Sequence, residues 1–532
     1  MDLLFLICKN NGRKIWLLTV LSIASGSMHV IFLILVNKTL SSLINKNSSN
    51  SLDMIYALVI LILYLFTNRW LMGMTIKFSL RIIHEIRLSL MRSTLSKTHS
   101  EMVVEQNILF SAISKDTITL SYAALSITQL ITLGVTITGC IIYLSFLSWK
   151  ILLFIIVIAS LGAVIYIIGA PKNIKHMENA RESEDVLFYN AKQVINGFKE
   201  IKIDPQKGID IVEGALLSSS STSMESYCKG YSGFYNTSLI GQFLIYLALI
   251  SLLFGGVYLK ISPVLLMNSI IVVLYLIGPL ESITALIPQL GEGNVAATRL
   301  IELLNKPQSE DTNHNFTICK DFKNIRYENL FYTYPSLIDE QGFTVGPINL
   351  TINKGEVIFI HGGNGAGKTT MLYLVLNLLK PNDGRFYIDN QLITISETPS
   401  NIFSVVFSDF YLFDSFYGNM EVDVVKATDY LRLFELDKKV TVTKNSFSSI
   451  NLSTGQRKRL ALISAILEKK SILILDEWAA DQSPEFRRKF YIEIIPLLKS
   501  RGFTIIAITH DDQYYTIADK LYCMDYGQLK NK

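Results

Sequence analysis

The residues best suited to chemistry lie in one run, His361-Gly362-Gly363-Asn364-Gly365-Ala366-Gly367-Lys368-Thr369-Thr370. It contains the phosphate-binding pattern G-x-x-x-x-G-K-[ST]. Glycines let successive backbone N–H groups converge on one point and form an anion nest. Gly362, Gly363, Asn364, Gly365, Ala366 and Gly367 would build that nest. Lys368 is placed to reach the β- and γ-phosphates, and the Thr369 hydroxyl is suited to ligate Mg²⁺. Glu356–Ile360 reads as a buried strand entering the loop. Met371–Leu379 reads as a helix whose N-terminus adds a positive dipole end under the phosphates.

Further pieces follow in order. Ser471-Ile472-Leu473-Ile474-Leu475-Asp476-Glu477 is a buried strand ending in two carboxylates. Asp476 would hold Mg²⁺, directly or through water, and Glu477 would orient or deprotonate an attacking water. After a second buried strand, Thr504–Ile508, comes Thr509-His510-Asp511, where His510 can contact the γ-phosphate and the water. Between loop and carboxylates lies Leu452-Ser453-Thr454-Gly455-Gln456-Arg457-Lys458-Arg459-Leu460. Ser453 and Gln456 have capping-box spacing, so a helix should start here. A Ser hydroxyl and a Gly amide at a helix N-terminus also make a second anion site. One domain cannot easily offer both anion sites to the same phosphate, whereas a head-to-tail pair could sandwich two ATP molecules between them. Tyr334, in Phe331-Tyr332-Thr333-Tyr334-Pro335, offers an aromatic face for an adenine ring.

The elements that must position these groups divide the chain. Half of the 532 residues are hydrophobic, and long apolar runs stop near residue 290. Six runs are long enough to span a bilayer, roughly Ile15–Val36, Met54–Ile76, Ala124–Leu147, Ile151–Ala170, Phe234–Leu259 and Pro263–Ile287. The connections Lys77 to about Tyr122 and Pro171 to about Gly233 are long, basic and helical in spacing, and read as extensions of the spans. The other connections are short and carry few basic residues, which places the termini and long connections in the cytoplasm. His29, Arg69 and Glu281 are the ionisable groups in or near the spans, a functional expectation by default. Met1–Cys8 reads as an interfacial helix rather than a cleavable signal. Five cysteines lie scattered without metal-ligand spacing, and the net charge of +4 offers no footprint for nucleic acid. The expected domains are 1–304 (membrane), 305–324 (linker, including polar Asp311–Asn315) and 325–532 (ATP-binding).

Together these pieces resemble the ATP-binding-cassette transporter superfamily, over nearly the whole chain. The resemblance implies an all-α six-helix transmembrane domain of exporter type fused to an α/β P-loop nucleotide-binding domain, working as a homodimer with ATP and Mg²⁺. By the same resemblance, Gly362–Thr370 take phosphate and Mg²⁺, and Tyr334 takes adenine. Ser453, Gly455 and Gln456 face the partner's ATP, Asp476 holds Mg²⁺, Glu477 is the catalytic base and His510 the switch histidine.

The chain departs from the common pattern at Thr454 (usually Gly), Ser408 (usually the Q-loop Gln, beside Asp409) and Ser483 (usually the D-loop Asp). Leu452–Leu462, Asp476–Gln482 and Thr509–Asp512 resemble one branch, bacterial exporters of cyclic or lasso-type peptides and peptide siderophores. The implied function is ATP-driven export of a compact modified peptide across a bacterial inner membrane, with the ATP-binding domain in the cytoplasm. A lipid or glycolipid flippase and a non-transporting, ATP-dependent membrane regulator are the alternatives.

Overall fold

The computed structural model describes residues 12–44, 51–258, 261–305, 322–334, 342–393, 402–418 and 422–531. Met1–Cys8, Cys319 and the polar linker Asp311–Asn315 lie outside them. The chain forms two units, one of Met1–Leu95 with Gln106–Lys306, the other of Ser96–Glu105 with Pro307–Lys532.

The first unit is helical. Its main helices are α1 (Gly12–Ile44), α2 (Ser51–Leu95), α3 (His99–Ser111), α4 (Thr117–Leu147), α5 (Trp149–Asn196), α6 (Leu217–Tyr258) and α7 (Pro263–Asn305). A π-turn at Ala112–Asp116 joins α3 to α4. Six helical stretches are long and apolar enough to cross a membrane. Most run far beyond the roughly 20 residues a bilayer needs; α5 alone has 48. The basic connections are therefore largely helix, as their spacing predicts. Between α4 and α5 only Ser148 is non-helical, and its hydroxyl caps α5 by accepting from the Ile151 amide.

Small residues let these helices meet closely, as membrane packing favours. A Cβ on Gly26 of α1 would lie 2.7 Å from the Thr132 carbonyl oxygen of α4. Val30, Leu33, Cys140, Leu144, Val272 and Leu276 bury one core among α1, α4 and α7. Ile151, Leu249, Leu252 and Val273 bury a second. Outward-facing Phe66, Ile168 and Phe254 remain exposed, as lipid-facing side chains must.

The second unit holds two sheets. An antiparallel sheet has the order β2-β1-β4-β5, formed by β1 (Asn324–Thr333), β2 (Thr344–Asn353), β4 (Asp383–Ile388) and β5 (Gln391–Ile393). The other has the order β10-β9-β3-β8-β7-β6, formed by β3 (Val357–Gly362), β6 (Phe403–Val406), β7 (Ile472–Asp476), β8 (Thr504–Ile508), β9 (Lys520–Asp525) and β10 (Gln528–Asn531). Strands β9 through β6 are parallel, and β10 closes the edge antiparallel.

Strand alternation sends successive side chains to opposite faces. Val357, Phe359, Leu473 and Leu475 join the core on one side of this sheet. Ile358, Ile360, Ile472 and Ile474 join the core on the other. That double burial explains why β3, β7 and β8 read as unbroken apolar runs. Helices α8 (Lys368–Val375), α9 (Val424–Leu433), α10 (Thr454–Leu467) and α11 (Pro484–Lys489) complete the unit.

Two sequence expectations are corrected. The helix after the phosphate loop begins at Lys368 and ends at Val375; the chain turns at Asn377, whose φ is +57°, so Leu379 is not helical. Ser453 is the N-cap residue of α10, with extended φ −62° and ψ 157°, but its side chain makes no cap hydrogen bond.

Candidate functional site

Three adjacent parallel strands, β3, β8 and β7, end side by side, and each carries one piece of the site at its carboxyl end. Ligands in open α/β sheets bind outside these ends. The loop Gly362–Gly367 leaves β3 and enters α8. Gly362 is required by close approach, since a Cβ there would sit 2.2 Å from the Met524 carbonyl oxygen on β9. Gly363, Asn364 and Gly365 are exposed, whereas Ala366 is buried. The Ala366 carbonyl accepts from Gly527, and its amide donates to Gly363, which fixes the curl.

Lys368 is only 7% exposed, with Nζ donating to the Gly362 and Gly363 carbonyls at 3.0 and 3.1 Å. Thr369 is exposed at the head of α8. Thr370 is buried, and its Oγ1 lies 3.0 Å from the Tyr334 hydroxyl. Tyr334, extending from the end of β1, thus leans on the first turn of the loop helix while keeping 39% of its surface exposed.

Asp476 closes β7 and is buried. Burial holds its carboxyl above the ordinary carboxylate range; the Ser408 hydroxyl and amide pull it back, and the Glu477 and Asp409 carboxylates push it up again. Glu477 follows with φ +46° and ψ +36°. A left-handed backbone at a non-glycine residue needs neighbours to impose it and clusters at functional sites. Its Oε1 lies 3.2 Å from His510 Nε2 and 3.7 Å from Lys368 Nζ. His510 follows β8 and is half-exposed. The loop, both carboxylates and the histidine thus converge as their spacing predicts. A cavity of about 170 Å³ opens against Glu477, Ala480, Arg487, His510 and Asp511.

Ser453, Gly455 and Gln456 stand apart. Among the described residues, no hydrogen bond or ion pair joins them to Gly362–Thr370. They are tied instead to the segment after β7. Gln482 Nε2 donates to the Gly455 carbonyl at 3.0 Å. A Cβ on Gly455 would lie 2.6 Å from the Asp481 carbonyl oxygen. Ser453 and Thr454 remain exposed.

Sequence reasoning missed the groups that brace this site. Lys458 is 3% exposed although it sits in the basic run Arg457-Lys458-Arg459. Arg487 donates to the Ala479 and Ala480 carbonyls and to Asp511. The Tyr491 hydroxyl donates to Asp511 at 2.9 Å. The ties to Asp511 join segments 20 or more residues apart, which no local pattern announces. His99, in the Ser96–Glu105 stretch grouped with this unit, meets the ring of Tyr373 on α8 edge-on at 5.0 Å.

In the helical unit a cavity of about 220 Å³ lies among α5, α6 and α7, lined by Ile158, Tyr166, Gln242, Val273, Glu281 and Thr284 among others. Among the described residues, the Tyr166 hydroxyl is buried there without a hydrogen-bond partner. His29 Nδ1 lies 2.8 Å from the Tyr275 hydroxyl.

A phosphate loop, paired carboxylates and a histidine at three neighbouring strand ends, following six membrane-length helices, define an ATP-driven membrane transporter, and the chain belongs to the ABC transporter family. Residues 345–480 match that family. The chain is 32% identical over 461 residues to the ATP-binding protein SyrD of Pseudomonas syringae pv. syringae, covering 83% of this chain and 81% of that protein. It is 26% identical over 469 residues to an ATP-dependent lipid A-core flippase of Methylobacillus flagellatus, covering 84% and 78%. Its fold matches the structure of a bacterial Atm1-family ABC exporter with ATP bound, with a TM-score of 0.80 over 98% of this chain and 95% of that one, at 13% identity. The protein is thus a multi-pass membrane protein of ABC exporter fold whose ATP-binding domain is an ATPase coupled to transport.

Proposed function

We propose that two copies of this chain form an exporter in a bacterial inner membrane that moves a compact modified peptide outward at the expense of ATP. The observation that carries the chemistry is the triangle of Glu477, His510 and Lys368 at the ends of β7, β8 and β3. In this reading the Gly362–Gly367 amides and Lys368 bind the phosphates of ATP, Thr370 supports the loop, and Tyr334 stacks on adenine. Glu477 takes the proton of the attacking water, and His510 holds Glu477 and the γ-phosphate in register.

The donor set fits Mg²⁺: an exposed Thr369 hydroxyl and a strand-end carboxylate on Asp476 are hard oxygen ligands. When bound, the ion supplies neutralisation of charge on the phosphates. Ser453, Gly455 and Gln456 belong to the other ATP site of the dimer. Their separation from the loop within one chain, and the unspent N-cap hydroxyl of Ser453, support that pairing.

The cargo reading rests on the resemblance of Leu452–Leu462 and Asp476–Gln482 to peptide exporters. A largely apolar cavity with a few polar groups, Tyr166, Gln242 and Glu281 among them, suits a compact peptide. A second reading, lipid flipping, is favoured by the flippase relatives. The test is ATP hydrolysis in lipid nanodiscs by the wild type beside Glu477→Gln, with a panel of cyclic and lasso peptides and with lipid A. Stimulation by a peptide, lost in the variant, supports the reading. Stimulation by lipid A alone replaces the cargo, and unchanged turnover in Glu477→Gln overturns the chemistry.

A further inference from the structure

We propose that Lys458 is a positioning residue for Glu477, pinning its backbone from the signature helix α10; this rests on the reading of Glu477 as the base. A buried ammonium is costly unless it is paired and hydrogen-bonded. Lys458, whose side chain is 4% exposed, has two partners, both in the segment that follows β7. Its Nζ donates to the Glu477 carbonyl at 3.2 Å and pairs with Asp481 Oδ2 at 2.6 Å. Its own carbonyl accepts from Trp478 Nε1 at 2.8 Å. Both ends of one residue therefore grip the turn 477–481.

That turn needs a grip. Glu477 holds a left-handed backbone, which a non-glycine residue keeps only when its surroundings over-determine it. Its amide is fixed to β8, donating to the Ile508 carbonyl at 3.1 Å. Its carbonyl is fixed to α10 by Lys458. With both backbone groups held, the carboxylate stays beside His510 and Lys368. Neighbouring ties reinforce the junction, since Arg459 Nε donates to Gln482 Oε1 at 2.8 Å and Gln482 donates to the Gly455 carbonyl. Asp481 keeps 45% of its side chain exposed, so it orients the ammonium without serving as core.

The experiment is steady-state ATP hydrolysis by the full-length protein in lipid nanodiscs across ATP concentration, for wild type, Lys458→Met, Lys458→Arg, Asp481→Asn and Glu477→Gln. Misplacing a base lowers kcat without removing ground-state binding. Lys458→Met should lose about tenfold or more in kcat with KM for ATP within about twofold. Lys458→Arg, which keeps donors, should recover part of the loss, and Asp481→Asn should lose about threefold. A kcat for Lys458→Met within twofold of wild type, or a loss that Arg fails to recover and that moves KM equally, overturns the proposal. If Lys458→Met does not fold, Asp481→Asn decides: an unchanged kcat overturns it. Loss of turnover in Glu477→Gln alone defeats only this proposal, whereas full turnover in Glu477→Gln defeats the assignment of the base itself.

Discussion

The Ser408 amide lies 3.4 Å from Asp476 Oδ2, and Ser408, through its side chain and its amide, draws the pKa of that carboxyl down against the effect of burial. A residue at the position where the family usually has glutamine therefore acts on the carboxylate assigned to Mg²⁺. Because burial raises Asp476, the folded protein keeps a proton there at pH values where the unfolded chain has lost it. This group's effect on stability thus falls as pH rises from the ordinary aspartate range through the raised value. Metal binding runs the other way and weakens as pH falls through that interval. Ser408→Ala removes a donor to the charged form, so it should raise the Asp476 pKa further. The half-saturating Mg²⁺ concentration for ATP hydrolysis should rise several-fold, more steeply at acid pH. Mg²⁺ titrations of activity at two pH values check this.

His510 Nε2 meets one oxygen of the Glu477 carboxylate, Oε1, at 3.2 Å. His510→Ala should reduce kcat by about 10²-fold while leaving nucleotide binding within a few-fold of wild type. Steady-state hydrolysis beside binding of a fluorescent ATP analogue separates the two effects.

Gly455 has backbone rather than a flexible side chain against its Cα. Gly455→Ala places a carbon 2.6 Å from the Asp481 carbonyl oxygen, so α10 or the 477–482 turn must move, at a cost of about 1–3 kcal/mol. Hydrolysis should drop at least tenfold, and the isolated phosphate loop should still bind nucleotide. Activity and nucleotide binding measured on one preparation test this.

Trp478 is 1% exposed, packs on Phe490 at 4.3 Å between ring centroids and donates to Lys458. Trp478→Ala should cost about 3–5 kcal/mol in its unit. A lower unfolding temperature for the ATP-binding unit at fixed scan rate is the readout.

Tyr166 carries a buried hydroxyl with no hydrogen-bond partner among the described residues. Tyr166→Phe should leave thermal stability unchanged or raise it, by up to about 1 kcal/mol, because an unpaired buried polar group is removed. If the cavity receives cargo, the same variant should weaken stimulation by a peptide that stimulates the wild type. Thermal melts with and without that peptide separate the two effects.

The site's skeleton was legible because phosphate loops and strand-end carboxylates depend on local spacing. Ile472–Asp476 and Thr504–Ile508 declare themselves as buried strands by unbroken β-branched and leucine runs. The helix extensions beyond the membrane spans were legible for a similar reason, continuous helical spacing. What escaped was long-range. Lys458 lies in the basic run Arg457-Lys458-Arg459, and its partners come from the return of residues 477–481 onto α10. Ser453 has the spacing of a capping box, but spacing does not oblige the hydroxyl to bond inward. The helix after the loop stops early because Asn377 turns left-handed, a choice made by packing rather than by the apolar pattern.

The grouping of Ser96–Glu105 with Pro307–Lys532 has a consequence for how the protein is made. The ATP-binding unit includes ten residues that leave the ribosome long before the rest of it. Its completion waits for the intervening Gln106–Lys306 to be inserted and for a contact as remote in sequence as His99 with Tyr373 to close. Contacts of such separation form late and slowly. A soluble fragment beginning at Pro307 would therefore carry an uncovered Tyr373 ring and an incomplete surface beside its phosphate-loop helix. Handling of that fragment, from solubility to self-association, should differ from that of the same residues in the whole chain.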